Sequence, residues 1–282
     1  MQYWMVDEDE YRNVLNKTAR LAELSRKRKN HAYVEEFLKG WEALFAYGTY
    51  TFEGEVDSNF SSSDAWKLMQ DPEDAHLDEK TKSFKRQMIN FMRALKWMQC
   101  CGRLTPDKIQ TIHEIMMRVE KHRGGKPVLT GKYRTTKAFA GFHEFAPVSA
   151  IPRLVIDALD RYYFTETDDL IWNAVRLFMD LINTHPFEDG NGRLCRLVIS
   201  HVLVESGMSL FPVLLSSFHK RGRRHYLQAV IRFEKRPSLF YTMVCRSLVK
   251  VEDESSPIWS PPLETSDKVF LSSSFSKVSP YK

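Results

Sequence analysis

Along this chain, apolar residues return mostly at helical spacing. Val34, Phe37, Leu38, Trp41, Leu44 and Phe45 form one such run, and Met88, Phe91, Met92, Leu95 and Met98 form another. Ile171, Val175, Phe178, Leu181 and Ile182 predict an amphipathic helix over residues 168 to about 183, with one buried face. Pro186 cannot continue it. Leu194, Leu197, Val198, His201, Val202 and Glu205 give the next helical period, which stops at Gly207, a residue type favoured just past a helix end. A further helix is expected from Pro106 to Val119, with Thr105 as its N-cap. The pattern breaks at residues 54–63, whose Gly, Ser, Asp and Asn predict a loop before a short helix starting at Asp64. It breaks again at residues 124–147, where Gly124, Gly125, Pro127, Gly131 and Gly141 separate stretches of strand propensity such as Lys132 to Thr136. The expected fold is therefore mostly α with a small β element. Ser and Pro accumulate in the C-terminal stretch, so residues 251–282 are expected to be a disordered tail.

Composition narrows the class. With 282 residues, 43% of them hydrophobic, the chain is long enough for a substantial core and one or two domains. No apolar run reaches the length of a membrane span, and the acidic, interrupted start does not read as a signal peptide, so no membrane partner and a cytoplasmic or nuclear location are expected. Cys100, Cys101, Cys195 and Cys245 have neither zinc-type spacing nor a disulfide framework. The net charge of +5 and the basic run from His219 to His225 raise the question of nucleic acid. No nucleic-acid fold signature accompanies the run, and a solvated helix start or a surface beside a nucleotide is the favoured reading.

The densest chemistry lies in His185-Pro186-Phe187-Glu188-Asp189-Gly190-Asn191-Gly192-Arg193-Leu194-Cys195-Arg196. Histidine can take a proton near neutral pH. A lone carboxylate suits a Mg2+ ion otherwise held by phosphates, and arginine clamps phosphate oxygens. Gly190-Asn191-Gly192 opens a predicted helix, whose first N–H groups and positive dipole end make an anion site. Arg193 and Arg196 share the first turn of that helix and can lean over one polyphosphate. Glu188 reads as solvated, Cys195 has nothing to mark it as a nucleophile, and His113, inside a predicted helix, reads as structural.

The segment resembles the signature H-P-F-x-x-G-N-G-R-x-x-R of Fic (Fido) domain proteins, and all of its specified positions are present. The resemblance implies a Fic-type helical bundle with a β-hairpin flap beside the active site, and transfer of AMP from ATP to a hydroxyl side chain of a target protein. It implies His185 as the general base, Asp189 as the Mg2+ ligand, Gly190, Asn191 and Gly192 as the phosphate cradle, and Arg193 and Arg196 as phosphate clamps. Thr130-Gly131-Lys132-Tyr133-Arg134 resembles the family's turn before its flap, which falls at Ala138 to Pro147. The catalytic domain is then expected at 104–250, after a helical region at 1–103.

Upstream, Thr49-Tyr50-Thr51-Phe52-Glu53-Gly54 resembles the inhibitory motif of many Fic proteins, in which the glutamate pairs with the second signature arginine, here Arg196. Glu53 would then compete with ATP, and in some relatives the equivalent residue also assists removal of AMP. Read from the residues alone, Thr49 to Phe52 are poor helix formers and fit an aromatic strand ending in a turn. Expected partners are ATP and a target protein carrying the acceptor hydroxyl, with a homodimer left open. The alternatives are a nucleotide- or protein-binding module without turnover, and transfer of another phosphate-containing group.

Overall fold

The computed structural model describes residues 32–53, 62–70, 77–118, 128–209, 211–215 and 220–259. Helices α1 (Ala32–Glu53), α2 (Ser62–Gln70) and α3 (Glu79–Cys100) precede α4 (Pro106–Met117). A hairpin of β1 (Phe139–Ala140) and β2 (His143–Glu144) follows, then α5 (Ile151–Phe164), α6 (Leu170–Thr184), α7 (Asn191–Glu205), α8 (Lys220–Ile231) and α9 (Pro237–Trp259). The two strands are antiparallel, with Phe139 opposite Glu144 and Ala140 opposite His143.

Local signals set the helix starts. Asp78 accepts the N–H of Thr81 at 2.7 Å to cap α3. Thr105 accepts the N–H of Lys108 at 3.3 Å ahead of Pro106 at the start of α4. Asp169 caps α6 through the N–H of Trp172 at 2.8 Å and also accepts from the Tyr241 hydroxyl on α9. Helix α6 buries Ile171, Val175, Phe178 and Leu181, the face its spacing predicts. At the far end of α7 the chain turns at Gly207, whose φ of 77° lies in the left-handed region.

Two helices depart from the sequence reading. Residues 40–50 of α1 are buried all round, and α7 is buried continuously from Arg193 to Leu203, polar side chains included. Thr49 and Tyr50 are helical despite their strand preference, because the helix is enclosed by the core and side-chain burial outweighs propensity differences of a few tenths of a kcal/mol per residue. Tyr50 packs edge-on to Phe84 and Phe91 of α3, while its hydroxyl donates to the Gln87 carbonyl at 3.1 Å. The core is continuous from Trp41 to Leu248, across residue 103, after which the resemblance sets the start of the catalytic domain. Helix α9 continues to Trp259, so the stretch expected to be a disordered tail begins inside a helix. The loop expected at 54–63 falls outside the described residues up to 61, and its last two residues begin α2. Residues 1–31 and 260–282 also lie outside them. No helix among the described residues is long and apolar enough to cross a membrane.

Trp41 joins α1 to the segment that follows α7, since its indole N–H donates to the Pro212 carbonyl at 2.7 Å in a buried position. Trp41→Phe keeps an aromatic ring and strands that carbonyl, so urea unfolding should report a loss of about 1–3 kcal/mol. A loss below about 0.3 kcal/mol would show that this bond does not hold α1 in place.

Candidate active site

The turn between α6 and α7 carries the predicted site. His185 ends α6 with φ 48° and ψ 60°, and it is the sole non-glycine residue with positive φ among the described residues. Such a conformation costs roughly 1 kcal/mol or more and persists only where its surroundings hold it. Its N–H donates to the Leu181 carbonyl at 3.0 Å, and its ring stacks on Phe145 with centroids 3.8 Å apart. Nδ1 lies 3.4 Å from the Ile182 carbonyl. With the proton on Nδ1 for that contact, Nε2 carries the lone pair.

The following residues are clamped from three sides. The Asn191 side chain bonds the Phe187 main chain twice, Nδ2 donating to its carbonyl at 2.7 Å and Oδ1 accepting its N–H at 3.0 Å. The Asn191 amide therefore shapes the loop. Phe187 is fully buried and stacks on His113 of α4 at 3.8 Å and an interplanar angle of 5°. The Gly131 N–H donates to His113 Nδ1 at 3.0 Å, so Nε2 bears the proton and donates to the Asp189 carbonyl, also at 3.0 Å. Burial pushes the His113 imidazole down to about 4, so the ring is neutral at physiological pH and both bonds persist. His113 is thus a structural brace between α4, the pre-hairpin turn and the site loop.

Gly190 precedes α7 with φ 76°, and Met117 Sδ stands 2.5 Å from where a Cβ would project. Both conformation and space demand glycine there. The first ladder bond of α7 runs from the Leu194 N–H to the Gly190 carbonyl at 2.9 Å. The N–H groups of Asn191 and Gly192 precede that ladder and have no acceptor within the helix. Asp189 Oδ1 accepts the Gly190 N–H at 2.6 Å and lies 3.4 Å from Arg193 Nη2. Those contacts use one carboxylate oxygen, and the side chain is 44% exposed, which suits a monodentate cation ligand. Among the described residues no group of three or more acidic, histidine or cysteine side chains could hold a metal alone.

Both signature arginines are buried, under α1. The Arg193 guanidinium lies 5.3 Å from the centre of the Tyr50 ring, and Arg196 Nη2 donates to the Thr49 carbonyl at 3.3 Å. Arg196 also lies 5.9 Å from the Tyr226 ring of α8. Glu53 is the last residue of α1, and its side chain lies outside the described residues, as does Gly54. A cavity of about 1030 Å³ opens between the hairpin, α6, α7 and α8. His185, Gly192 and Arg196 line it beside Phe145 and Val230; Asp189, Gly190, Asn191 and Arg193 do not. Arg223 of the basic run lines it too. Glu188 is exposed, and burial pushes the Cys195 thiol up to about 12, so neither changes the site.

The Fic/DOC family profile matches residues 103–203, which hold the hairpin, His185 and the whole signature turn. Residues 103–203 form a Fic/DOC domain. The chain is 28% identical over 205 residues to protein adenylyltransferase fic-1 of Caenorhabditis elegans, covering 69% of this chain and 37% of that protein. It is 31% identical over 139 residues to the protein of the same name from Caenorhabditis briggsae, covering 46% and 26%. The chain thus spans between about a quarter and little more than a third of the length of these relatives. A solved Fic family protein from Desulfovibrio desulfuricans superposes with a TM-score of 0.69 at 15% identity, covering 99% of this chain and 86% of that one. The likeness of fold therefore extends beyond residues 103–203.

His113 binds fewer protons in the folded than in the unfolded protein between about pH 6.5 and about pH 4, so its contribution to stability falls as pH drops through that window. Burial lowers His201 as well, and the two act in the same sense. Unfolding free energies measured from pH 7 to 4.5 should decline with a slope that His113→Gln reduces by up to about 1.4 kcal/mol per pH unit. Equal slopes in the two proteins would remove His113 as a titrating group.

Proposed function

We propose that the chain is a protein adenylyltransferase that moves AMP from ATP to a hydroxyl side chain of a target protein. The observation that carries this reading is the convergence of His185, the N-terminus of α7 and Arg196 on one cavity of nucleotide size. His185 Nε2 takes the proton of the target hydroxyl as its oxygen bonds to the α-phosphorus. The bond from that phosphorus to the bridging oxygen breaks, and pyrophosphate departs. The first N–H groups of α7 hold the phosphates, Arg196 neutralises their charge, and Arg193 steadies Asp189. Asp189 fits a Mg2+ ion that takes its other ligands from phosphate and water; when bound, the ion supplies charge neutralisation at the polyphosphate.

The same helix that covers the arginines ends at Glu53. Thr49 and Tyr50, in contact with Arg196 and Arg193, bring that end of α1 to the phosphate side of the site. This arrangement supports autoinhibition in which Glu53 takes the Arg196 guanidinium that ATP requires. Glu53 also stands as the residue that would direct water to a modified target and remove AMP.

ATP labelled at the α- or the γ-phosphate, supplied with Mg2+ to wild type, His185→Ala, Arg196→Ala and Glu53→Gly, separates these roles. Protein-bound label should come from the α-phosphate alone, rise about tenfold or more in Glu53→Gly, and fall at least about 100-fold in His185→Ala. Arg196→Ala should abolish it. Label from His185→Ala equal to wild type would sink the mechanism, and label from the γ-phosphate would reassign the transferred group. Unchanged labelling in Glu53→Gly would sink the autoinhibition.

A further inference from the structure

Arg134 lies in the turn ahead of the hairpin, is 2% exposed, and points its guanidinium into the protein. Every hydrogen bond it makes ends on a main-chain oxygen. Nε donates to the His185 carbonyl at 2.7 Å, Nη1 to the Thr136 carbonyl at 2.7 Å, and Nη2 to the Ala146 carbonyl at 2.6 Å and the Thr184 carbonyl at 3.4 Å. Its own N–H donates to the Pro186 carbonyl at 2.9 Å.

These acceptors belong to three segments. Thr184 and His185 are the C-terminal end of α6, where the last carbonyls have no helical partner and the dipole is negative. Thr136 and Ala146 flank the hairpin, whose inner closure is the Phe145 N–H on the Ala138 carbonyl at 3.0 Å. One planar cation therefore ties both feet of the hairpin to the backbone of the histidine that sits in a left-handed conformation. Phe145, between those feet, also stacks on the His185 ring. Ring and main chain of His185 are thus both referred to the hairpin, and the main-chain half runs through Arg134.

We propose that Arg134 is a positioning residue that holds His185 and the hairpin as one rigid unit, so that a target segment seated on the hairpin is brought into register with the base. The fork geometry matters as much as the charge, since an ammonium at this site reaches fewer of these carbonyls and cannot hold them in one plane. None of the carbonyls that Arg134 holds belongs to α7, so nucleotide affinity is separate from this function. The catalytic part of this inference rests on the adenylyltransferase reading, and the rigid-unit part does not.

The test uses the full chain in the Glu53→Gly background, with self-labelling by α-labelled ATP as the rate, ATP affinity measured independently, and amide hydrogen exchange of residues 138–147 as a readout that needs no activity. Arg134→Lys and Arg134→Ala should bind ATP within about threefold of the parent while the rate at saturating ATP falls by roughly 100-fold, the scale expected for a base displaced by about an ångström. Exchange should quicken at 138–147 and at the end of α6, with the interior of α7 unchanged. Guanidinium ion added to Arg134→Ala should raise its rate at least about tenfold, as it restores a planar donor to the vacated site. Arg134→Lys at parental rate, or hairpin exchange unaltered in both variants, would overturn the proposal. Loss of ATP binding in parallel with rate, or faster exchange throughout the chain, would reduce Arg134 to general stability and overturn it as well. A parent that transfers no label refutes the proposed activity, and the exchange data then decide the rigid-unit role alone.

Discussion

Between α6 and α7 the chain must leave one helix, reverse, and start another with its first N–H groups facing a cavity, and the left-handed backbone of His185 makes that reversal. A non-glycine residue does not rest there without support. The support is distributed: Phe145 against the ring, carbonyl bonds from Arg134, the double amide bond of Asn191 to Phe187, and the His113–Phe187 stack beneath. They come from the hairpin, the turn before it, α4 and α7 itself, so several parts of the fold contribute to the placement of one imidazole.

The enclosure of α7 follows from the same requirement. Its N-terminal arginines have long apolar stems and charged heads, and burial of such heads is tolerated where π faces and carbonyl oxygens meet them. Tyr50, Tyr226 and the Thr49 carbonyl serve in this way. The N-terminal helices share the core and the charge of the Fic/DOC domain, and α1 closes the side of α7 from which the arginines would otherwise meet water.

Much of this was legible in the sequence because it depends on local chemistry. The Thr105 cap, the buried stripe of α6, the break at Pro186 and the glycine turn that opens α7 are set by neighbouring residues. The helical state of Thr49 and Tyr50 was not legible, because it comes from burial by distant elements against local preference. The hub at Arg134 was not legible either. Its partners are main-chain oxygens, which every residue carries, so nothing in the side-chain pattern marks them. His113 shows the opposite case, since its place in a helix suggested structural use and its two backbone bonds bear that out.

The bond from Arg196 to Thr49 ends on a carbonyl oxygen rather than a side chain. Such a contact is blind to which amino acid occupies position 49, provided the helix persists. Point substitution there leaves the acceptor standing, so the contact registers where the helix is rather than what it is made of. A shift or unwinding at the end of α1 withdraws that acceptor, whereas a change of side chain at position 49 does not.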